Sequence, residues 1–357
     1  MGFGWWKSTK TTAQLPSELQ IVLQQFTHEA LPLPLTELLA DTKYSASSIE
    51  LTLPFPAQSI YEPLRNALAA AGFTGSLTLV LANKTDYSYK TIRQIVLVAS
   101  GKGGVGKSTT SVNLAIALSQ QGARVGLLDA DIYGPSIPTM LGALTEKAQS
   151  PDNKNMQPLH KFSIYMQSIG FLVDPEQATV WRGPMASQAL LQLINETLWP
   201  ELDYLIVDLP PGTGDIQLTL SQKLPVAGAV VVTTPQDVAL ADAKKAISMF
   251  RQVNIPILGL VENMSFYLCK SCGHQDDIFG SRGGVTLAER YQVSVLGQLP
   301  LETQIRESAD AGLPIALSAS NQTAEIYRKI ARQLIFTLYW QNQLAERQQP
   351  EILLTDD

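Results

Sequence analysis

From residue 92 onward, apolar runs of strand length alternate with longer stretches whose apolar residues recur at helical spacing. Ile95–Ser100, Val125–Asp129, Ile164–Ser168, Tyr204–Asp208, Ala229–Thr233, Ile257–Glu262 and Val295–Gln298 read as buried strands. Gly106–Gln120, Met185–Thr197, Ile216–Lys223, Val238–Val253, Val285–Tyr291 and Glu302–Gly312 read as helices, and a long helix over about Gln322–Gln343 follows. Such alternation predicts an α/β fold: a doubly wound, mostly parallel sheet with helices on both faces. Right-handed crossovers then bring every ligand loop to the carboxyl ends of the strands. Residues 15–90 have another rhythm. A short amphipathic helix at Glu18–Phe26, alternating strands at Ser48–Leu53 and Ser76–Leu81, and a helix over Ser59–Ala71 predict a small α+β domain. The expected division is a flexible tail (1–14), the small domain (15–90, with a polar linker at Asn83–Lys90), the main domain (91–345) and a C-terminal tail (346–357).

The strand Ile95–Ser100 runs directly into Gly101–Thr109, GKGGVGKST. Gly101, Gly106, Lys107 and Ser108 meet the pattern G-x-x-x-x-G-K-[ST], in which backbone N–H groups wrap a triphosphate at a helix N-terminus. Gly103, Gly104, Val105 and Thr109 complete this nucleotide-binding loop, and the motif makes the main domain a P-loop NTPase. Lys107 is expected on the β- and γ-phosphates of ATP, and the Ser108 hydroxyl on Mg²⁺. A second lysine, Lys102, opens the loop and can point outward. This resembles the deviant P-loop ATPases, the group of the ParA and MinD partitioning proteins, in which ATP lies between two protomers.

Acids follow at two further strand ends. Asp208 closes YLIVD and precedes a Pro-Pro-Gly-Thr-Gly turn that can set an N–H against a γ-phosphate, with Asp215 expected to cap the next helix. Asp208 and Asp129 suit the hydration sphere of Mg²⁺. Asp131, 24 residues beyond Lys107, matches the acid that orients the attacking water in the deviant P-loop ATPases. The amide of Asn263 can pair with the donor–acceptor edge of adenine, and Pro300 can lie over the ring.

The two cysteines of the chain form one C-x-x-C, Cys269 and Cys272. Two soft thiolates supply one edge of a metal or cluster site, which takes four ligands. His274 adding a third ligand, a two-fold dimer giving Cys₄, a redox pair and free thiols all remain open at this point. The N-terminus lacks a secretory apolar stretch, no run reaches membrane-spanning length, and the net charge of −6 argues against nucleic acid. The expectation is a cytoplasmic protein with neither nucleic-acid nor membrane partner. The C-terminal helix has a period suited to packing on the sheet, and Trp5-Trp6-Lys7 reads as part of a tail.

Taken in order, GKGGVGKST, LLDADIYGPSIPTMLG, WRGPMAS, DLPPGTGD, TTPQD, ENMSF and CKSCG are similar to the bacterial Mrp/ApbC proteins. These are iron–sulfur cluster carriers related to the eukaryotic cytosolic scaffold ATPases, and the likeness covers roughly residues 90–340. It implies a homodimer, hydrolysis of ATP with Mg²⁺, and a labile [4Fe–4S] cluster bridged by Cys269 and Cys272 of both subunits. It also implies a donor scaffold and transfer of the cluster to apo iron–sulfur proteins. Residues 15–90 resemble the small N-terminal domain of these carriers without its Asp-Pro-Glu motif or cysteine. Two other classes share parts of this signature: an ATP-binding zinc module, and a positioning ATPase of the MinD/ParA kind.

Overall fold

The computed structural model describes residues 15–82, 87–171, 183–269 and 271–348. The expected tails at 1–14 and beyond 348, part of the linker, Trp181 and Arg182 of WRGPMAS, and Lys270 lie outside the described residues. Contacts divide the chain into two compact units. One takes the N-terminal residues, Gln120–Gly122 and the chain from Ile335 onward; the other takes Asp86–Ser119 and Ala123–Leu334.

In the first unit, strands β1 (Asp41–Ser45) and β2 (Ser48–Leu53) pair antiparallel, and β2 pairs parallel with β3 (Ser76–Leu81). The alternation of β2 sends Ile49, Leu51 and Leu53 inward, where they are buried along with Leu64 and Leu68 of the helix Tyr61–Ala70. The sequence pattern missed β1, whose residues are all exposed or half-buried and so carry no apolar alternation. Phe55 packs edge-on against Phe336 and Tyr339, at 5.5 and 5.1 Å between ring centres.

The second unit is built on β4 (Ile92–Ala99), β5 (Val125–Asp129), β6 (Leu159–Lys161), β7 (Ile164–Ser168), β8 (Leu202–Asp208), β9 (Val226–Thr233), β10 (Ile257–Leu268), β11 (Gln275–Asp276) and β12 (Val295–Pro300). The order across the sheet is β11-β10-β9-β4-β8-β5-β7-β6, with β12 also on β10. Every pairing is parallel except β6 with β7 and β10 with β11. Consecutive residues Ile95–Ala99 of β4, and all seven of β8, are buried. Since successive side chains face opposite ways, both faces of the sheet are covered, as parallel sheets require. Each fully buried Leu or Ile here contributes about 1.5–3 kcal/mol. β4 sits between β8 and β9, so the loop after it opens where the chain's excursions to either side diverge, the usual crevice of such sheets.

Two expectations need correcting. The strand expected at Ile257–Glu262 runs on to Leu268, across a register shift between Glu262 and Phe266 where Met264 has φ 55°. Polar Glu262, Asn263 and Ser265 disguised that extension; each is buried because each has a hydrogen-bond partner. The C-terminal helix Gln322–Gln348 packs only in part on the sheet domain: Tyr327, Ile330 and Leu334 are buried in the second unit, whereas Phe336 and Tyr339 belong to the first. One further close approach matters: the loops after β5 and β12 meet at Gly142 (φ 59°) and Gly312 (φ 69°). A Cβ on Gly312 would lie 2.5 Å from the Cα of Gly142.

Candidate functional site

The glycine-rich loop leaves the tip of β4 and enters the helix Lys107–Gln120. Gly104 (φ 81°) and Gly106 (φ 83°) take the left-handed conformation that turns the loop's N–H groups inward, which side chains with a Cβ resist. A cleft of about 200 Å³ opens there, lined by Lys102, Gly103, Gly104, Gly106, Lys107, Ser108 and Thr109 of the loop and by Asp131, Ser136, Met140 and Pro211 from two other segments. Gly101 lies behind it, against the backbone of Asp242. Val105 is buried, and its carbonyl accepts a 2.9 Å hydrogen bond from Nδ2 of Asn263. The same amide nitrogen fills the space a Cβ on Gly106 would need.

Charge in the cleft is balanced within the chain. Lys107, 6% exposed, places Nζ 2.8 Å from Asp208 Oδ2 and 3.7 Å from Asp131 Oδ2. The hydroxyl of Ser108 donates to Asp208 Oδ2 and that of Ser111 to Asp208 Oδ1, each at 2.6 Å. Asp208 is fully buried, and three partners hold it, as a buried carboxylate demands. Burial pushes the pKa of Asp131 up, against the opposing pull of Lys107. Asp129 is fully buried and does not line the cleft. Its carboxylate instead accepts N–H bonds from Asp131 and Ile137 at 3.2 Å and the Ser168 hydroxyl at 3.1 Å, so it shapes the loop that carries Asp131. Burial first, then the charge of Asp208, pushes its pKa up to about 7.

The turn after β8 is tied to the phosphate loop: Gly212 N–H donates to Ser100 O at 2.9 Å. Nε2 of Gln217 in the next helix donates to Pro210 O at 2.8 Å and Pro211 O at 3.3 Å. Asp215 begins that helix rather than capping it; Gly214 stands at the N-cap and no side chain bonds there. No residue pattern pointed to Gln217 or Ser168, while Ser111 had a signal, four residues after Lys107 on the same helix face.

The cysteines lie just past the far end of β10. Cys269 N–H donates to His274 O at 2.9 Å, Gly273 N–H donates to Cys269 O at 2.8 Å, and the two-residue β11 pairs back onto Tyr267 and Leu268. The C-x-x-C is therefore the tip of a small hairpin, with Cys269 half-buried and Cys272 exposed, both free thiols. N–H groups of Cys272 and then Ser271 point at the Cys269 sulfur and hold its pKa below the usual thiol value. Among the described residues no three His, Cys, Asp or Glu side chains gather into a metal site. Pro300 ends β12, buried and opposite Phe266, outside the lining of the phosphate cleft. No described helix is long and apolar enough to cross a membrane.

Comparison with known proteins agrees with this architecture. A family model described as ParA, NUBPL iron-transfer P-loop NTPase matches residues 91–335. An iron–sulfur cluster carrier protein of Haemophilus influenzae is 49% identical over 352 residues, covering 94% of this chain and 95% of that protein. The iron–sulfur cluster transfer protein NUBPL of Mus musculus is 49% identical over 247 residues, covering 68% and 77%. A solved nucleotide-binding protein of Archaeoglobus fulgidus, in complex with ADP, is 37% identical with a TM-score of 0.56, covering 62% of this chain and 87% of that one.

Proposed function

The chain belongs to the ParA/NUBPL family of iron-transfer P-loop NTPases, and on that premise we propose that it is an ATP-hydrolysing carrier of iron–sulfur clusters. It acts in the cytoplasm as a homodimer, takes a [4Fe–4S] cluster from a donor scaffold and passes it to apo-proteins. The observation that carries this reading is the path of β10. One strand holds the phosphate loop, through Asn263 on Val105, and six residues later presents Cys269.

ATP is the substrate of the first site. The residues of the cleft fit it: a loop wound to point N–H groups inward, a lysine, and hydroxyl and carboxylate oxygens of the kind Mg²⁺ prefers. Ser108, Asp208 and Asp129 would hold Mg²⁺, which would supply neutralisation of phosphate charge. Lys107 exchanges its contacts with Asp208 and Asp131 for the β- and γ-phosphates. That exchange frees Asp131 to orient the attacking water, and the raised proton affinity of Asp131 suits it to accept that hydrogen bond. Lys102 reaches the phosphates bound by the partner, while Asn263 and Pro300 meet the base.

The cluster is cargo. One hairpin offers two thiolates and no third ligand, so a second copy completes Cys₄ across a two-fold axis. Contacts with the γ-phosphate from Lys102 and the Pro210–Asp215 turn alter how the subunits dock, which changes the spacing of the two hairpins and so favours retention or release. The test is anaerobic reconstitution, with iron and sulfide counted per dimer, followed by transfer to an apo-protein with no nucleotide, ADP or a non-hydrolysable ATP analogue. A brown dimer whose transfer rate depends on nucleotide is expected. A colourless zinc-loaded dimer, equal rates in all three states, or a chain that stays single with nucleotide and iron supplied would each overturn it.

A further inference from the structure

The larger concavity of the sheet domain is not the phosphate cleft. A groove of about 600 Å³ runs between the helices Asp215–Lys223 and Asp237–Gln252. Leu218 and Met249 give it an apolar floor, and the exposed Ala241 with Lys244, Lys245 and Gln252 lines its rim. No carboxylate lines it, although the chain carries a net charge of −6. Lys245 is paired with Asp242 at 2.9 Å, whereas Lys244 makes no ion pair among the described residues.

Both walls rest on the phosphate-binding segments. Thr213 closes one end of the groove and belongs to the same turn as Pro211, which lines the phosphate cleft. The first wall is anchored to that turn through Gln217. In the second wall, the backbone of Asp242 packs against Gly101 so closely that no Cβ fits between them. Both walls of the groove are thus in direct contact with segments that line or adjoin the phosphate cleft.

We propose that this groove docks an acidic peptide segment with apolar anchors from a partner protein, and that nucleotide at the phosphate loop modulates its affinity. The charge of the rim selects the acid, and the floor takes the anchors, as in other helix-walled grooves. The proposal needs nucleotide binding but not a cluster, so it stands or falls separately from the cargo assigned above.

The experiment is fluorescence anisotropy of a labelled ten-residue peptide of Leu, Asp and Glu on the full chain, against a counterpart with Lys in place of the acids. Lys244→Glu reverses the rim, and Ala241→Trp fills the groove from an exposed position. Expected are binding of the acidic peptide about tenfold tighter than the basic one, an about tenfold loss in both variants, and weakening at high salt. ADP and a non-hydrolysable ATP analogue should give affinities differing about threefold or more. Equal binding of the two peptides, affinity untouched in both variants, or identical affinity in every nucleotide state would overturn it. So would a change of oligomeric state in Ala241→Trp without loss of peptide, which would make the groove a contact between copies of this chain.

Discussion

The phosphate loop and the thiol hairpin lie on one domain yet are built in opposite ways. The loop opens onto a cleft, but its lysine is 6% exposed and three side chains fix the carboxylate of the fully buried Asp208. The hairpin protrudes, with an exposed Cys272, a two-residue return strand and two backbone hydrogen bonds across its turn. The first gathers its buried lysine, hydroxyls and carboxylates from one chain and is pre-arranged for charge, so a single deletion there should remove turnover. The second presents two free thiols, and under the proposed function a second copy contributes as many. Catalytic parts gain from rigidity, whereas a site that must surrender its cargo gains from being shallow and shared.

That contrast can be broken at five points. The largest effect is expected from Lys107→Ala, which should cut ATP turnover about a hundredfold to a thousandfold while iron content after reconstitution stays unchanged. Normal phosphate release by this variant would remove the lysine from the site. Cys269→Ala should bring iron and sulfide to background, yet shift ATP affinity by less than about 0.5 kcal/mol, the range for surface substitutions. Gly106→Ala sets a Cβ at φ 83° into the amide of Asn263, and about 1–3 kcal/mol of strain should weaken nucleotide binding by calorimetry about tenfold or more. Ser111→Ala removes one of three partners of Asp208 at a cost of about 1 kcal/mol, read as a several-fold higher Mg²⁺ requirement for turnover. The smallest effect concerns pH. Because N–H groups stabilise the Cys269 thiolate, that form persists on the acid side of the usual thiol range. Alkylation by iodoacetamide, mapped by mass spectrometry, should therefore fall off at lower pH for Cys269 than for a free cysteine. Coincident profiles would dissolve the hairpin's preorganisation.

Much of this could be read from the residues. GKGGVGKST carries its own geometry, since glycines at those positions serve a backbone conformation rather than packing, and the structure places Gly104 and Gly106 accordingly. Buried parallel strands announce themselves as unbroken apolar runs, and β2, β3, β5 and β7 fall where the pattern puts them. What escaped was whatever depends on pairing rather than on local pattern. β1, β6 and β11 are short or polar and exist because a neighbouring strand offers hydrogen bonds. The extension of β10 hides under Glu262, whose buried carboxylate accepts from Ser265, Gln298 and the Gly284 N–H. Gln217 and Ser168 act through contacts with distant backbone and side chains, which no spacing reveals.

The meeting of Gly142 and Gly312 has a consequence for anyone redesigning this chain. A Cβ on Gly312 would drive into the backbone of Gly142, so that position cannot be altered without prising the segment that follows Asp131 from the one that follows Pro300, whereas a Cβ on Gly142 would meet Gly312 only at 3.4 Å. A library randomised at both sites should return glycine at 312, and glycine or asparagine at 142, even under selection for folding with no demand on turnover. Grafting a longer loop at one would require rebuilding the other in the same step.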